Sequence, residues 1–150
     1  MDARIRSARP GDIDAVLTLW AHDDVEPTVT DDRASLLRLL ARDGGALLVA
    51  ERDEEVVGTL IATWDGWRAA MWRLVVHPDH RRQGIAQELV ATAEQRFRAL
   101  GAARVATFVV TTDETPGVFW AACGYEAQVD RRRFVKNLEP HVPEPPTGDT

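Results

Sequence analysis

Val75-Val76-His77-Pro78-Asp79-His80-Arg81-Arg82-Gln83-Gly84-Ile85-Ala86 decides the fold of this chain: an apolar strand breaks at a proline, turns through arginines and a glycine, and runs into a helix. The strand that feeds it, Met71 to Val76, is rich in the bulky residues that suit a buried sheet. Pro78 cannot donate to a ladder, so pairing is expected to end there. Beyond the turn, Ile85, Leu89, Ala93 and Phe97 recur every four residues and lay one apolar stripe against the sheet. Gly84 lets backbone and ligand approach closely, and the small Ala86 lets the first turn pack tightly. The N–H groups of that turn lack intrahelical partners and have the positive end of the helix dipole behind them. An anion is expected at this mouth.

Composition bounds what the anion belongs to. A chain of 150 residues with 45% hydrophobic content supports one domain with one core. Lys and Arg number 18 against 24 Asp and Glu, a net charge of −6, so neither nucleic acid nor an anionic membrane is an expected partner. Any anion site is therefore local. The lone Cys123 excludes an intramolecular disulfide, and no apolar run approaches the roughly 20 residues that span a bilayer. The first residues lack the apolar core of a signal peptide, so a cytoplasmic setting is expected.

Outward from the central turn, strands and helices alternate. Arg4 to Ala8 reads as a first strand, followed by Pro10-Gly11-Asp12 and a helix carrying Ile13, Val16, Leu17 and Trp20, with Asp12 as N-cap. An acidic loop from His22 to Asp32 leads to a second helix over Ser35 to Arg42, closed by Asp43-Gly44-Gly45. Ala46 to Glu51 and Val56 to Trp64 read as a hairpin about Arg52-Asp53-Glu54-Glu55, and Asp65-Gly66 turns into the strand that ends at Val76. After the central helix, Gly101 is a C-cap and Arg104 to Val110 a further strand. Thr115 and Pro116 start a short helix that stops at Gly124; Tyr125 to Val129 and Arg131 to Leu138 are candidate final strands. The domain is expected over 1–138, with the proline-rich 139–150 as a mobile tail.

Arg81-x-x-Gly84-x-Ala86 after Val76-His77-Pro78 resembles the acetyl-CoA signature of the GNAT superfamily of N-acetyltransferases. Phe119-Trp120-x-x-Cys123-Gly124-Tyr125 resembles the second signature of that family, in the expected order. The similarity runs from about Ile5 to about Leu138, and Trp64-Asp65-Gly66 is similar to the small bacterial YpeA-like subgroup. The resemblance implies an α/β (α+β) fold: a mixed, mainly antiparallel sheet of six to seven strands, about four flanking helices, and splayed fourth and fifth strands holding the pantetheine arm. It further implies that Leu74, Val75 and Val76 supply main-chain contacts to pantetheine, while Arg81, Arg82, Gln83, Gly84, Ile85, Ala86 and Gln87 wrap the pyrophosphate. Acetyl-CoA would be the cosubstrate, with no metal.

Acyl transfer from a thioester to an amine needs a neutral amine, a donor for the oxyanion and a proton for the thiolate. Many relatives carry a tyrosine in the second motif for that proton; the aligned residue here is Trp120, whose indole N–H has no useful acidity. Tyr125 is the alternative acid, beside a proton from water. Asp113 aligns with an asparagine that contacts pantetheine in relatives and can accept hydrogen bonds from its amides. No glutamate matches the base of some relatives, because Trp72-Arg73-Leu74 fills that stretch.

In the fold this resemblance implies, the connection between the first two helices covers the acceptor side, and its carboxylates either draw a cationic amine or belong to a solvated loop whose charges only aid solubility. His22, Asp24 and Glu26 are candidates for orienting or deprotonating it, and Trp64, Trp67 and Trp72 for lining its pocket, with Trp72 favoured as core. The expected reaction is acetyl transfer to a primary amine of a small molecule or peptide. A non-catalytic acyl-CoA-binding sensor is the competing reading, prompted by Trp120. Another kind of nucleotide domain is disfavoured, since the loop lacks a second glycine at dinucleotide spacing and a P-loop lysine. Exposed strands near the C-terminus would permit a homodimer.

Overall fold

The computed structural model describes residues 3–22, 28–109 and 115–138. Five strands, β1 (Arg4–Ser7), β2 (Leu47–Arg52), β3 (Glu55–Trp64), β4 (Ala69–Val76) and β5 (Val105–Thr107), form one sheet in chain order. The first four are antiparallel neighbours, and β5 lies parallel to β4. A parallel partner needs a long crossover, which α3 (Ile85–Leu100) supplies. Two helices, α1 (Ile13–His22) and α2 (Arg33–Arg42), precede β2, and α4 (Thr115–Ala122) follows β5.

Both faces of the sheet are covered, and the strands alternate accordingly. Leu47 and Val49 of β2 pack with Ile13, Val16, Trp20 and Leu36 of α1 and α2. Leu48 and Ala50 point the other way, to Ile85, Leu89, Ala93 and Phe97 of α3 and to Trp120 of α4. The i, i+4 stripe of α3 is thus the stripe expected from its sequence. Gly58 of β3 brings α3 close: a Cβ there would stand 3.3 Å from Ile85 Cγ2, Leu89 Cδ1 and the Val75 carbonyl oxygen. The start of α3 is thereby pressed onto the centre of the sheet.

Local expectations are modified at three places. Asp12 belongs to a 3-10 turn, Pro10–Asp12, that runs into α1. Its carboxylate takes two hydrogen bonds from Arg6, at 2.8 and 2.9 Å, and one from the Arg9 amide at 2.8 Å. The Arg6 guanidinium is the main cause that holds this carboxyl down, to about 2. The second helix starts at Arg33, because Asp32 caps it by accepting from the Ser35 amide at 2.7 Å.

The third difference is a correction. Among the described residues the sheet has five strands, not six to seven, because neither Tyr125 to Val129 nor Arg131 to Leu138 forms one. Val129, Phe134 and Leu138 stay about nine-tenths exposed. Three consecutive arginines, Arg131 to Arg133, would put like charge on both faces of a strand, and β5 is only three residues long.

Candidate functional site

The ladder at the end of β4 closes with the His77 amide donating to the Val57 carbonyl at 2.8 Å. Pro78–His80 then make one 3-10 turn, with His77 Nδ1 accepting from the Asp79 amide at 3.1 Å. Arg81 Nε donates back to the Val76 carbonyl at 3.1 Å. Two left-handed residues reverse the chain, Arg82 at φ 63° and Gly84 at φ 82°, and Gly84 is the N-cap of α3. Gly84 has no side chain with which to cap α3, and Ile85 turns into the core. The first-turn amides lack intrahelical partners, and the space beside Gly84 is open, since a Cβ there would meet nothing within 4 Å among the described residues. Uncapped amides, a helix dipole and adjacent arginines make an anion cradle.

A second hairpin supports the cradle from behind. Arg52, at the end of β2, donates through Nη1 to the Gln83 side-chain oxygen and lies 3.3 Å from His80 Nδ1. His77 also stacks on His22 of α1, with ring centroids 4.8 Å apart. Neither Arg52 nor this stack was signalled by the sequence, because both join residues far apart in the chain.

Upstream, β4 parts from its neighbour. β5 pairs only with Ala69, Ala70 and Met71, so the outer edge of β4 from Trp72 to Val76 has no strand partner among the described residues. Leu74 and Val76 point into the α3 core and Val75 into the α1 core, so the backbone is what this edge offers. Opposite it, the β3–β4 register slips: Thr59 pairs with Val75 and Ile61 with Trp72, leaving Leu60 to face both Arg73 and Leu74. Arg73 takes φ 55° at this bulge. A buried relay pins it, from Trp20 Nε1 to Thr59 Oγ1 at 2.9 Å and from Thr59 Oγ1 to the Arg73 carbonyl at 3.0 Å.

An open groove at the bulge is lined by Thr28, Thr30, Asp31, Trp72 and Arg73, and it continues to Glu94 of α3 and to Trp120 and Tyr125. Trp72, expected in the core, is half-buried; it stacks on Phe108 at 4.9 Å, and Arg133 lies 5.3 Å from its ring. Arg73 makes a two-point pair with Asp31, Nε to Oδ1 at 3.0 Å and Nη2 to Oδ2. Trp67 is exposed with Arg68 over its ring. Asp24, Glu26 and Asp113 lie outside the described residues.

Trp120 and Tyr125 sit together. Trp120 is buried edge-on between Phe119 and Tyr125, with centroids 5.2 and 5.1 Å away. The Tyr125 hydroxyl donates to Glu94 Oε2 of α3 at 2.6 Å. Burial first, and then the Glu94 carboxylate, push this phenol well above its ordinary value. As placed, it is a weak acid whose proton is already committed.

The profile of the acetyltransferase (GNAT) family matches residues 13–125. An acetyltransferase of Sodalis glossinidius is 34% identical over 124 residues, covering 83% of this chain and 87% of its own. The chain belongs to the acetyltransferase (GNAT) family. A second relative in sequence, an acetyltransferase of Photorhabdus laumondii, is 37% identical over 105 residues, 70% of this chain and 73% of its own. The GNAT fold is matched by Ard1 from Thermoplasma volcanium, with a TM-score of 0.77 at 20% identity over 86% of each chain. PaiA N-acetyltransferase from Thermoplasma acidophilum, solved in complex with coenzyme A, gives a TM-score of 0.73 at 15% identity, covering 85% of this chain and 92% of its own. Within this GNAT acetyltransferase no helix among the described residues is long and apolar enough to cross a membrane.

Proposed function

We propose that this acetyltransferase moves the acetyl group of acetyl-CoA to a primary amine of a small molecule or peptide. The observation that carries the reading is the uncapped start of α3 behind Arg82 and Gly84, placed at the end of the β4 edge that β5 leaves open. The pyrophosphate fits the amides of Gly84 to Gln87 with Arg81 and Arg82 beside them, and the pantetheine amides fit the edge of Leu74 to Val76 that β5 does not pair with. The bulge then lies where the thioester would meet the groove, so the amine enters past Thr28, Thr30 and Asp31. Asp113 accepts from pantetheine amides and Glu26 orients the amine in this reading. Trp120 contributes packing behind the pantetheine.

The thiolate proton comes from water, because the Tyr125 hydroxyl is held by Glu94 and Trp120 has no acidic proton. We place the chain near the YpeA-like acetyltransferases on Trp64-Asp65-Gly66, where Asp65 Oδ1 takes the Trp67 and Arg68 amides at 2.7 Å each and fixes the turn into β4. The same Tyr125–Glu94 bond favours the second reading, a CoA-binding module without chemistry. Free-thiol release from acetyl-CoA across a panel of amines decides between them. Amine-dependent release is expected; binding of acetyl-CoA without release under any amine leaves the module. Absence of both binding and a rise in melting temperature removes the CoA reading altogether.

A further inference from the structure

We infer that Asp31 and Arg73 form a positioning pair that sets how the acceptor amine is held. The inference rests on the acetyl-transfer reading and names which residues of that site govern acceptor specificity. Arg73 is a cation in a strand otherwise made of apolar and aromatic residues, Ala69 to Val76. The bulge explains how it is tolerated. An extra residue in one strand re-aims its side chain, and Arg73 follows Trp72 onto the groove side, with its guanidinium 5.7 Å from the Trp20 ring. Its backbone is fixed independently, by the Trp20–Thr59 relay to its carbonyl.

The guanidinium reaches 42 residues back to Asp31. Its fork meets both carboxylate oxygens, the arrangement that gives direction as well as energy to an ion pair. The pair is sheltered, with side-chain exposures of 24% for Arg73 and 10% for Asp31. Asp31 also accepts from the Thr28 amide at 2.7 Å and the Thr28 hydroxyl at 3.3 Å. One carboxylate thus organises the end of the α1–α2 connection and fastens it to the bulge of the donor strand. Next to it, Asp32 is occupied as the cap of α2. Two carboxylates of the acidic connection therefore have structural partners and do not serve as free attractors for a cation.

The consequence is geometric. Thr28, Thr30 and Asp31 of the connection line the groove together with Trp72 and Arg73 of β4. The Asp31–Arg73 contact sets the separation of these two segments at the point where the open β4 edge begins. The cradle at the start of α3 shares no residue with this pair. Loss of the pair should weaken the acceptor and spare CoA.

The test compares Asp31→Asn, Arg73→Met and Arg73→Lys with the unmodified protein. Michaelis constants come from thiol release with the best amine of the panel, and CoA affinity from calorimetry. Asp31→Asn and Arg73→Met should raise the amine KM by about tenfold with kcat changed less than about threefold and CoA affinity unchanged. Arg73→Lys, which keeps charge but loses the fork, should fall between. A KM that stays put, or a CoA affinity that falls in step, overturns the inference. Amide hydrogen exchange gives a reading that needs no turnover: Asp31→Asn should speed exchange over residues 28–36 and leave residues 85–100 as before. Equal exchange at 28–36 overturns the pair even if every amine fails, whereas a change there without turnover counts against acetyl transfer alone.

Discussion

The cradle at the start of α3 and the groove at the β4 bulge are built from different materials. The cradle is backbone: two left-handed residues, the first-turn amides and a helix axis, all within Arg81 to Glu88. The groove is side chain: an arginine, a carboxylate, a tryptophan relay and stacked rings drawn from α1, the connection after it, β3, β4 and the residue after β5. A backbone site is set by local sequence and tolerates change in most side chains. A side-chain site depends on pairs that the fold alone brings together. The donor is accordingly the better-determined half of the reaction, and the acceptor half carries what is particular to this chain.

The largest effect expected on this contrast is at Gly84. Gly84→Asp places a carboxylate at the helix start in a left-handed residue, φ 82°, which costs about 1–2 kcal/mol of stability, partly offset by the helix dipole, and it competes with the bound anion; CoA affinity of the folded protein should fall at least about 100-fold, or about 2.7 kcal/mol, by calorimetry. Unchanged affinity would take Gly84 out of the cradle. Thr59→Val attacks the other region. It strands the Trp20 indole N–H and the Arg73 carbonyl in a buried setting, at a cost of roughly 2–3 kcal/mol in denaturant unfolding. A loss below about 0.5 kcal/mol would mean that the bulge does not lean on the relay.

The contrast also explains what was legible in the sequence. The helix stripe Ile85-Leu89-Ala93-Phe97 and the cap Gly101 follow from period and backbone preference, and both appear in place. The order of the first five strands followed from the same local signals. Arg73 was read only as part of Trp72-Arg73-Leu74, the stretch that lacks a glutamate, and nothing near it in the chain identified Asp31 as its partner. The bulge was silent, because one extra residue in a pairing leaves no mark in composition. The last two strands failed for the opposite reason: Tyr125 to Leu138 has strand-like residues, but only a short edge to pair with and three adjacent like charges. Trp72 read as core from its residue type, whereas the parting of β5 leaves it on the groove.

Smaller effects sharpen the picture away from both sites. Asp12 has its carboxyl held at about 2 by Arg6, below the ordinary 3.8. Its contribution is therefore complete above about pH 4 and disappears as pH falls towards 2. Asp12→Asn should cost about 1–2 kcal/mol at pH 7 and nothing near pH 2, so unfolding curves of the two proteins should converge through that window. Parallel curves down to pH 2 would contradict the Arg6 pairing. The smallest effect belongs to Tyr125→Phe. With its proton held by Glu94, the phenol should be dispensable, kcat staying within about threefold. A fall of about 100-fold would return Tyr125 to the role of acid.

The central claim, that the start of α3 and the open edge of β4 together hold CoA, is tested most directly by backbone amide NMR during a CoA titration. The largest shifts are expected at Arg82 to Gln87 and at Leu74 to Val76, with α2 nearly unmoved. Shifts confined to other elements, or none at saturating CoA, would contradict it.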